Sequence, residues 1–156
     1  MGRQTQLPDA REGVVAVNWL IAHLVGDYLL QNDWLANHKK GRLLPPRYDD
    51  FGSHDEWWSA EKAWSTGMIA CFIHATLYTA AVAAFTWWPA WAIAAVFVTH
   101  FIQDRTAIVS WWMKTIGQKN FAQPPLAPWS VIVVDNVWHL LVLFLISRAV
   151  ALGDAA

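Results

Sequence analysis

Seven residues able to bind a metal or move a proton lie inside stretches of otherwise apolar sequence: His23, His74, His100, His139, Asp27, Asp104 and Asp135. Three of the histidines stand four residues from an aspartate, as His23–Asp27, His100–Asp104 and Asp135–His139. On a helix, residues four apart share a face, with Cβ atoms about 5–6 Å from one another. Each pair can therefore present an imidazole and a carboxylate to one point. The order within the pairs carries more information than their number. The first and third apolar stretches read His then Asp, and the fourth reads Asp then His. If successive stretches are antiparallel helices, that reversal sets all three aspartates at one depth, with their histidines roughly 6 Å deeper at 1.5 Å per residue. His74, on the second stretch, falls near the same layer.

Carboxylates in an oily environment need compensation. A charged Asp at the centre of a membrane helix costs about 2.5–3.5 kcal/mol on insertion scales before any partner is counted. Imidazolium groups could supply the opposite charge, and divalent metal would do so better. Four imidazoles and three carboxylates suit two ions sharing a bridging carboxylate or water, with zinc, manganese or iron matching the donor set. Cys71 is the only cysteine, which excludes an internal disulfide and a multi-cysteine metal site. His38 and His54 lie in hydrophilic sequence and read as solvated surface. Around the expected layer stand Gln31, one turn beyond Asp27, with Asn136 beside Asp135 and Arg105 after Asp104, all possible substrate contacts. Arg105 suits either an anionic group such as phosphate or a snorkelling role at the interface. Lys39 and Lys40 suit topology and lipid headgroups.

The elements that must position these residues are helices. Four stretches approach the roughly 20 residues that cross a hydrocarbon core. They cover about 14–35, 67–88, 91–114 and 129–152. Between the middle two lies only Trp88-Pro89-Ala90, which forces an antiparallel hairpin. The expected fold is all-α: a single integral membrane domain over 1–156, built as a four-helix transmembrane bundle running up-down-up-down. In the long link from the first to the second helix, Ser53-His54-Asp55-Glu56 has the form of a capping box. Trp57, Ala60 and Trp64 then share a face, so a short interfacial helix is expected over about 54–66. Gln118 to Pro128, with three prolines, reads as an extended connection.

Composition agrees. Hydrophobic residues make up 56% of the chain and charged residues 15%, against about 25% charged in an average soluble domain. Twelve Trp against three Tyr fits a chain that meets lipid–water interfaces. A net charge of −1 gives no basic field for nucleic acid. Asn18, His23 and Asp27 interrupt the first apolar run, which speaks against a cleaved signal peptide. The links hold Lys39, Lys40, Arg42, Arg47, Lys62, Lys114 and Lys119, whereas the opposite side holds Arg3, Arg11 and Arg148. That asymmetry places the links in the cytoplasm and both termini in the periplasm.

The stretches AHLVGDYLLQNDWLANHKK (22–40), IHATLYT (73–79), THFIQD (99–104) and DNVWHL (135–140) resemble the small membrane proteins of the domain-of-unknown-function family 3307. The chain departs from that pattern at Asn136, where the family has Gln, and at Arg105-Thr106, where it has a hydrophobic residue and Lys. The resemblance implies a multi-pass protein of a bacterial or phage inner membrane and supplies no activity. A looser likeness, by site chemistry alone, is to membrane-bound metal-dependent hydrolases.

The leading expectation is thus metal-dependent hydrolysis of a lipid or phosphoester near the cytoplasmic headgroup layer, with a metal-activated water as nucleophile. Metal-ion or proton transport is the alternative, followed by a haem-binding bundle or a non-catalytic membrane scaffold. Transport needs polar residues through the full depth, and Ala80 to Phe85 and Leu141 to Ile146 are apolar.

Overall fold

A computed structural model describes residues 10–153; residues 1–9, Arg3 among them, and residues 154–156 lie outside the described part. Among the described residues the chain is all-helical, without a strand. Six α-helices follow in order: α1 (Ala10–Leu24), α2 (Asp33–His38), α3 (His54–Thr86), α4 (Ala90–Arg105), α5 (Ile108–Thr115) and α6 (Trp129–Gly153). Helix α1 packs on α3, α3 on α4, α4 on α6, and α6 on α1. Ala22, Tyr78, Val82, Ala92, Val96, Leu143, Ile146 and Val150 from these four helices form one apolar core.

Among the described residues two helices, α3 and α6, are long and apolar enough to cross a membrane, and α4 with α5 make a third if that bent pair is one span. Large apolar side chains also face outward, with Ile69, Phe72, Val133, Val137 and Leu145 each more than half exposed. Such a surface is consistent with a membrane protein, since a water-soluble monomer rarely exposes continuous apolar patches.

Four of the expected helices differ from the sequence reading. The first, expected over about 14–35, does not run through. Its last turn, Val25–Leu29, widens into a π-helical turn closed by Leu30 N donating to Val25 O at 3.0 Å. The chain then breaks and restarts as α2, where the Asn32 side chain accepts from Leu35 N at 2.9 Å. A helix start needs such an acceptor for its unpaired amides, and Asn supplies one. The apolar Leu29-Leu30 masks this break in a reading of periodicity.

The helices expected at about 54–66 and 67–88 are one uninterrupted helix, α3. Ser53 Oγ accepts from Glu56 N at 3.3 Å, as a capping box requires, while Glu56 Oε2 accepts from Gly52 N rather than from Ser53 N. Gly67 costs a helix interior only about 1 kcal/mol relative to Ala, too little to end it. Its Trp57 Nε1 donates to Pro46 O at 3.4 Å, so this first part of α3 packs against the link that precedes it. At its other end Trp87 adopts the left-handed conformation, φ 55°, that commonly closes a helix.

The helix expected over about 91–114 is divided at Thr106-Ala107 into α4 and α5, which are bent by 68° to one another. Thr106 is extended (φ −109°, ψ 169°), and the Arg105 carbonyl accepts instead from Gly41 N at 2.9 Å. The last helix, expected over about 129–152, spans Trp129–Gly153.

Close approach of the π-helical turn to α3 rests on a glycine. A Cβ on Gly26 would lie 2.5 Å from Tyr78 Cδ2 and 3.1 Å from Tyr78 Cα. Overfilling a packed contact typically costs about 1–3 kcal/mol. Gly26→Val is therefore expected to lower the melting temperature in detergent, whereas Gly153→Ala, which meets nothing within 4 Å, leaves it unchanged. Equal melting temperatures for the two variants would contradict this packing.

Candidate metal centre

The site lies where the π-helical turn, the middle of α3, the end of α4 and the first half of α6 meet. Asp27 is carried by the π-helical turn, His74 by α3, His100 and Asp104 by α4, and Asp135 and His139 by α6. His74, His100, Asp104 and His139 are buried, with Asp104 at 0% exposure. The expected one-turn pairs are in place: His23 Nδ1 lies 3.3 Å from Asp27 Oδ2, His100 Nε2 lies 3.1 Å from Asp104 Oδ2, and His139 Nδ1 lies 3.8 Å from Asp135 Oδ2.

Among the described residues, two groups could hold a metal ion. One comprises Asp27, His74, His100 and Asp104; the other comprises Asp104, Asp135 and His139. Asp104 belongs to both, as a bridging carboxylate would. In the first group, His74 Nε2 lies 3.1 Å from Asp27 Oδ1 and 3.0 Å from Asp104 Oδ2, and His100 Nε2 lies 3.6 Å and 3.1 Å from the same two oxygens. Tetrahedral zinc with bonds of about 2.0–2.1 Å sets its ligand atoms about 3.3 Å apart, so these spacings fit such an ion. In the second group, Asp104 Oδ1 and His139 Nε2 face one another at 3.8 Å. Both atoms, with Asp135 Oδ1, are buried without a hydrogen-bond partner among the described residues. Buried polar atoms are seldom left so. His139 Nδ1 donates to the Asp135 carbonyl oxygen at 2.8 Å. A carbonyl can only accept, so Nδ1 carries the ring proton and neutral His139 has its bare lone pair at Nε2, the state a metal ligand requires. Thus the donor set fits a divalent ion.

His23, expected as a ligand, is brought into neither group. Asn136 Nδ2 donates to Ile132 O and to Tyr28 Oη, which leaves Asn136 Oδ1 to accept from His23 Nε2 at 2.9 Å. His23 Nδ1 lies 3.0 Å from Tyr78 Oη. With Nε2 donating to Asn136 and Nδ1 accepting from the Tyr78 hydroxyl, both nitrogens of His23 are engaged by the chain. Asn136, expected as a substrate contact, instead fixes the proton on His23.

Arg105, expected to hold an anion or to snorkel, is bonded to backbone carbonyls of the chain. It is 2% exposed and donates from Nε to Arg42 O at 2.8 Å, from Nη1 to Lys39 O at 3.3 Å, and from Nη2 to Trp64 O at 3.3 Å. The guanidinium therefore clamps the start of the link between α2 and α3. Gly67 makes room for it: a Cβ there would lie 2.5 Å from Arg105 Nη1 and 2.9 Å from His38 O.

Two site residues escaped the sequence reading. Lys39, assigned there to topology, is 7% exposed, and its Nζ donates to Asp104 Oδ2 at 2.9 Å. Its Nζ also lies 3.1 Å from His74 Nε2. Nothing in helical periodicity brings residue 39 to this layer; the fold-back of α2 does. Tyr78 stacks on His100, with ring centroids 3.6 Å apart and planes 15° from parallel. Its position one turn after His74 was the signal available. Gln31 lies on a cleft of about 260 Å³ that reaches Asp27, Lys39 and Asp135 past Tyr28 and Lys40, and its Oε1 is another buried acceptor without a partner. His38 and His54 are exposed, as expected.

No family model, curated protein or solved structure matches the chain.

The clamp has a measurable consequence. Lysine cannot span three carbonyls as the guanidinium fork does. With hydrogen bonds to charged groups worth about 1.5–3 kcal/mol, Arg105→Lys is expected to destabilise the protein by about that amount. It should also raise hydrogen exchange at the Gly41 amide, which is bonded to Arg105 O. Unchanged protection of Gly41 would count against the clamp.

Proposed function

We propose that this chain is a membrane-embedded metal-dependent hydrolase acting on a lipid or phosphoester near the headgroup layer. The observation that carries the reading is the pair of ligand groups sharing Asp104, with bare acceptors on Asp104, Asp135 and His139. In this reading the chain is a four-helix transmembrane bundle, of which α1 with its π-helical turn, α3, α4 with α5, and α6 are the spans. It lies in a bacterial inner membrane as a member of the domain-of-unknown-function family 3307, with both termini periplasmic. The site then sits toward the cytoplasmic face, beside the basic link.

A divalent ion (zinc, manganese or iron) bound at this site supplies Lewis acidity and lowers the pKa of water toward about 7. The chain's own groups do the rest. Asp27, Asp104 and Asp135 would balance the charge of the ion and of Lys39 in a medium where screening is weak. Asn136 keeps His23 turned toward Tyr78, and His74 Nε2, 3.1 Å from Asp27 Oδ1, holds the Asp27 carboxylate. The cleft of about 260 Å³ matches a headgroup or a small phosphoester rather than a whole lipid, so acyl chains would stay outside. Lys39 and Lys40 on its wall suit an anionic phosphoryl group. Hydrolysis is favoured over transport by the apolar core of Val82, Val96, Leu143, Ile146 and Val150, which lies beyond the site on the same four helices.

Purified protein is expected to contain divalent metal by elemental analysis, and Asp104→Ala to lose it, since that side chain belongs to both groups. The metal-loaded wild type is expected to hydrolyse a member of a phospholipid and phosphoester panel, with activity falling at least about 100-fold in Asp104→Ala. Stoichiometric metal with no turnover on any substrate would refute the hydrolase reading and leave metal binding intact.

A further inference from the structure

The two faces of Asp104 are not equivalent. Its Oδ2 accepts from the Lys39 ammonium at 2.9 Å and lies 3.0 Å from His74 Nε2, while His100 Nε2, 3.1 Å away, makes no hydrogen bond among the described residues. Among the described residues its Oδ1, on the other face, has no hydrogen-bond partner and points toward His139 Nε2, which has none either. One face is served by a cation of the chain itself. The other presents bare lone pairs.

We propose that the site binds one divalent ion, between Asp104, Asp135 and His139, and that the Lys39 ammonium is the resident second cation on the Asp27–His74–His100 side. This rests on the metal-binding reading above and replaces the expectation of two ions.

Charge supports it. Three carboxylates (Asp27, Asp104 and Asp135) are balanced by one ammonium and one divalent ion. A second divalent ion beside Lys39 would leave two uncompensated positive charges in a poorly solvated interior, where the cost of unpaired charge is several kcal/mol. Lone pairs support it too. An ion on His74 Nε2 and Asp104 Oδ2 would need bonds of about 2.0–2.2 Å to atoms that Lys39 Nζ already approaches at 3.1 and 2.9 Å. The main chain of the lysine is also held in place. Its backbone carbonyl accepts from Arg105 Nη1, and two residues on, Gly41 N donates to Arg105 O. Lys39 therefore arrives at the site with its main chain fixed. The cleft opens on both Lys39 and Asp135, so an anionic substrate entering there would meet the ammonium and the ion side by side.

Metal stoichiometry tests this without recourse to activity. Detergent-solubilised protein, stripped and dialysed to equilibrium against zinc or manganese, is analysed for metal per chain, using only variants that elute as monodisperse peaks. Wild type and Lys39→Arg are expected to hold about one ion, and Lys39→Met about two, because the first ligand group is then released. In the wild-type background His139→Ala is expected to lose the ion, and His74→Ala to keep it. Two ions in wild type, or an ion lost with His74 and kept without His139, would overturn the assignment. These arms do not depend on Lys39→Met folding. Absence of metal from every variant would instead bring down the metal-binding reading on which the assignment stands.

Discussion

A carboxylate with no exposure to water, at the end of a helix in a largely apolar molecule, is the demand that the rest of the structure answers. Asp104 can stay ionised there only with positive charge and hydrogen-bond donors brought to it. Its nearest cation is Lys39, and bringing Lys39 to it shapes the first third of the chain. The first helix must end early, which the π-helical turn and the break before Asn32 achieve. Helix α2 must fold back and stop, and the next residues must be held down. Arg105, adjacent to Asp104 in sequence, holds them through three carbonyls. Gly67 makes that contact possible. Removing one member leaves others with unpaired buried groups, and such losses are steeper than the value of any single bond.

The layer is divided between residues that can bind and residues that orient them. Tyr78 lies flat on His100 and hydrogen-bonds His23, so it fixes two rings from two helices. Asn136 works from α6 across to α1. The Asp135 backbone carbonyl settles the tautomer of His139. Such supports hold ligand atoms within a few tenths of an ångström, which a metal with defined bond lengths demands. Beyond this layer α3, α4 and α6 pack through the apolar core around Val82, Val96 and Leu143, so a polar layer and an apolar core are stacked along these helices.

Which of these features the sequence discloses follows from what periodicity can encode. Pairs four residues apart on a continuous helix are legible, and His100–Asp104 and Asp135–His139 lie where their spacing puts them. So are the last helix and the helical hairpin at Trp87 to Pro89. The role of Lys39 is not legible, because it depends on a chain reversal whose backbone turn leaves no hydrophobic period. Its neighbours Lys40 and Arg42 make it look like one more topological charge. His23 shows the opposite error: right spacing and right neighbourhood, but a ring whose two nitrogens are already engaged by Tyr78 and Asn136. Spacing places a side chain at a site without saying which of its atoms remain free. The junction at 66–67 was overdivided because a glycine and a change of polarity look like a boundary, whereas helical hydrogen bonding tolerates both.

The irregular backbone is concentrated at one end of the molecule. The π-helical turn, the break before α2, the extended Thr106 and the bend of 68° between α4 and α5 all adjoin the His/Asp layer. Around Val82, Val96 and Leu143 the helices run without interruption. In an apolar surrounding, non-helical backbone survives only where protein or a water-filled cavity satisfies its freed groups. Here the carbonyls of Lys39, Arg42 and Trp64 are satisfied by one guanidinium, and the Gly41 amide by the carbonyl beside it. Arg105 therefore stabilises the very distortions that let Asp27 and Lys39 face Asp104. The site is built from departures from regular helix, and each departure is anchored by a named donor.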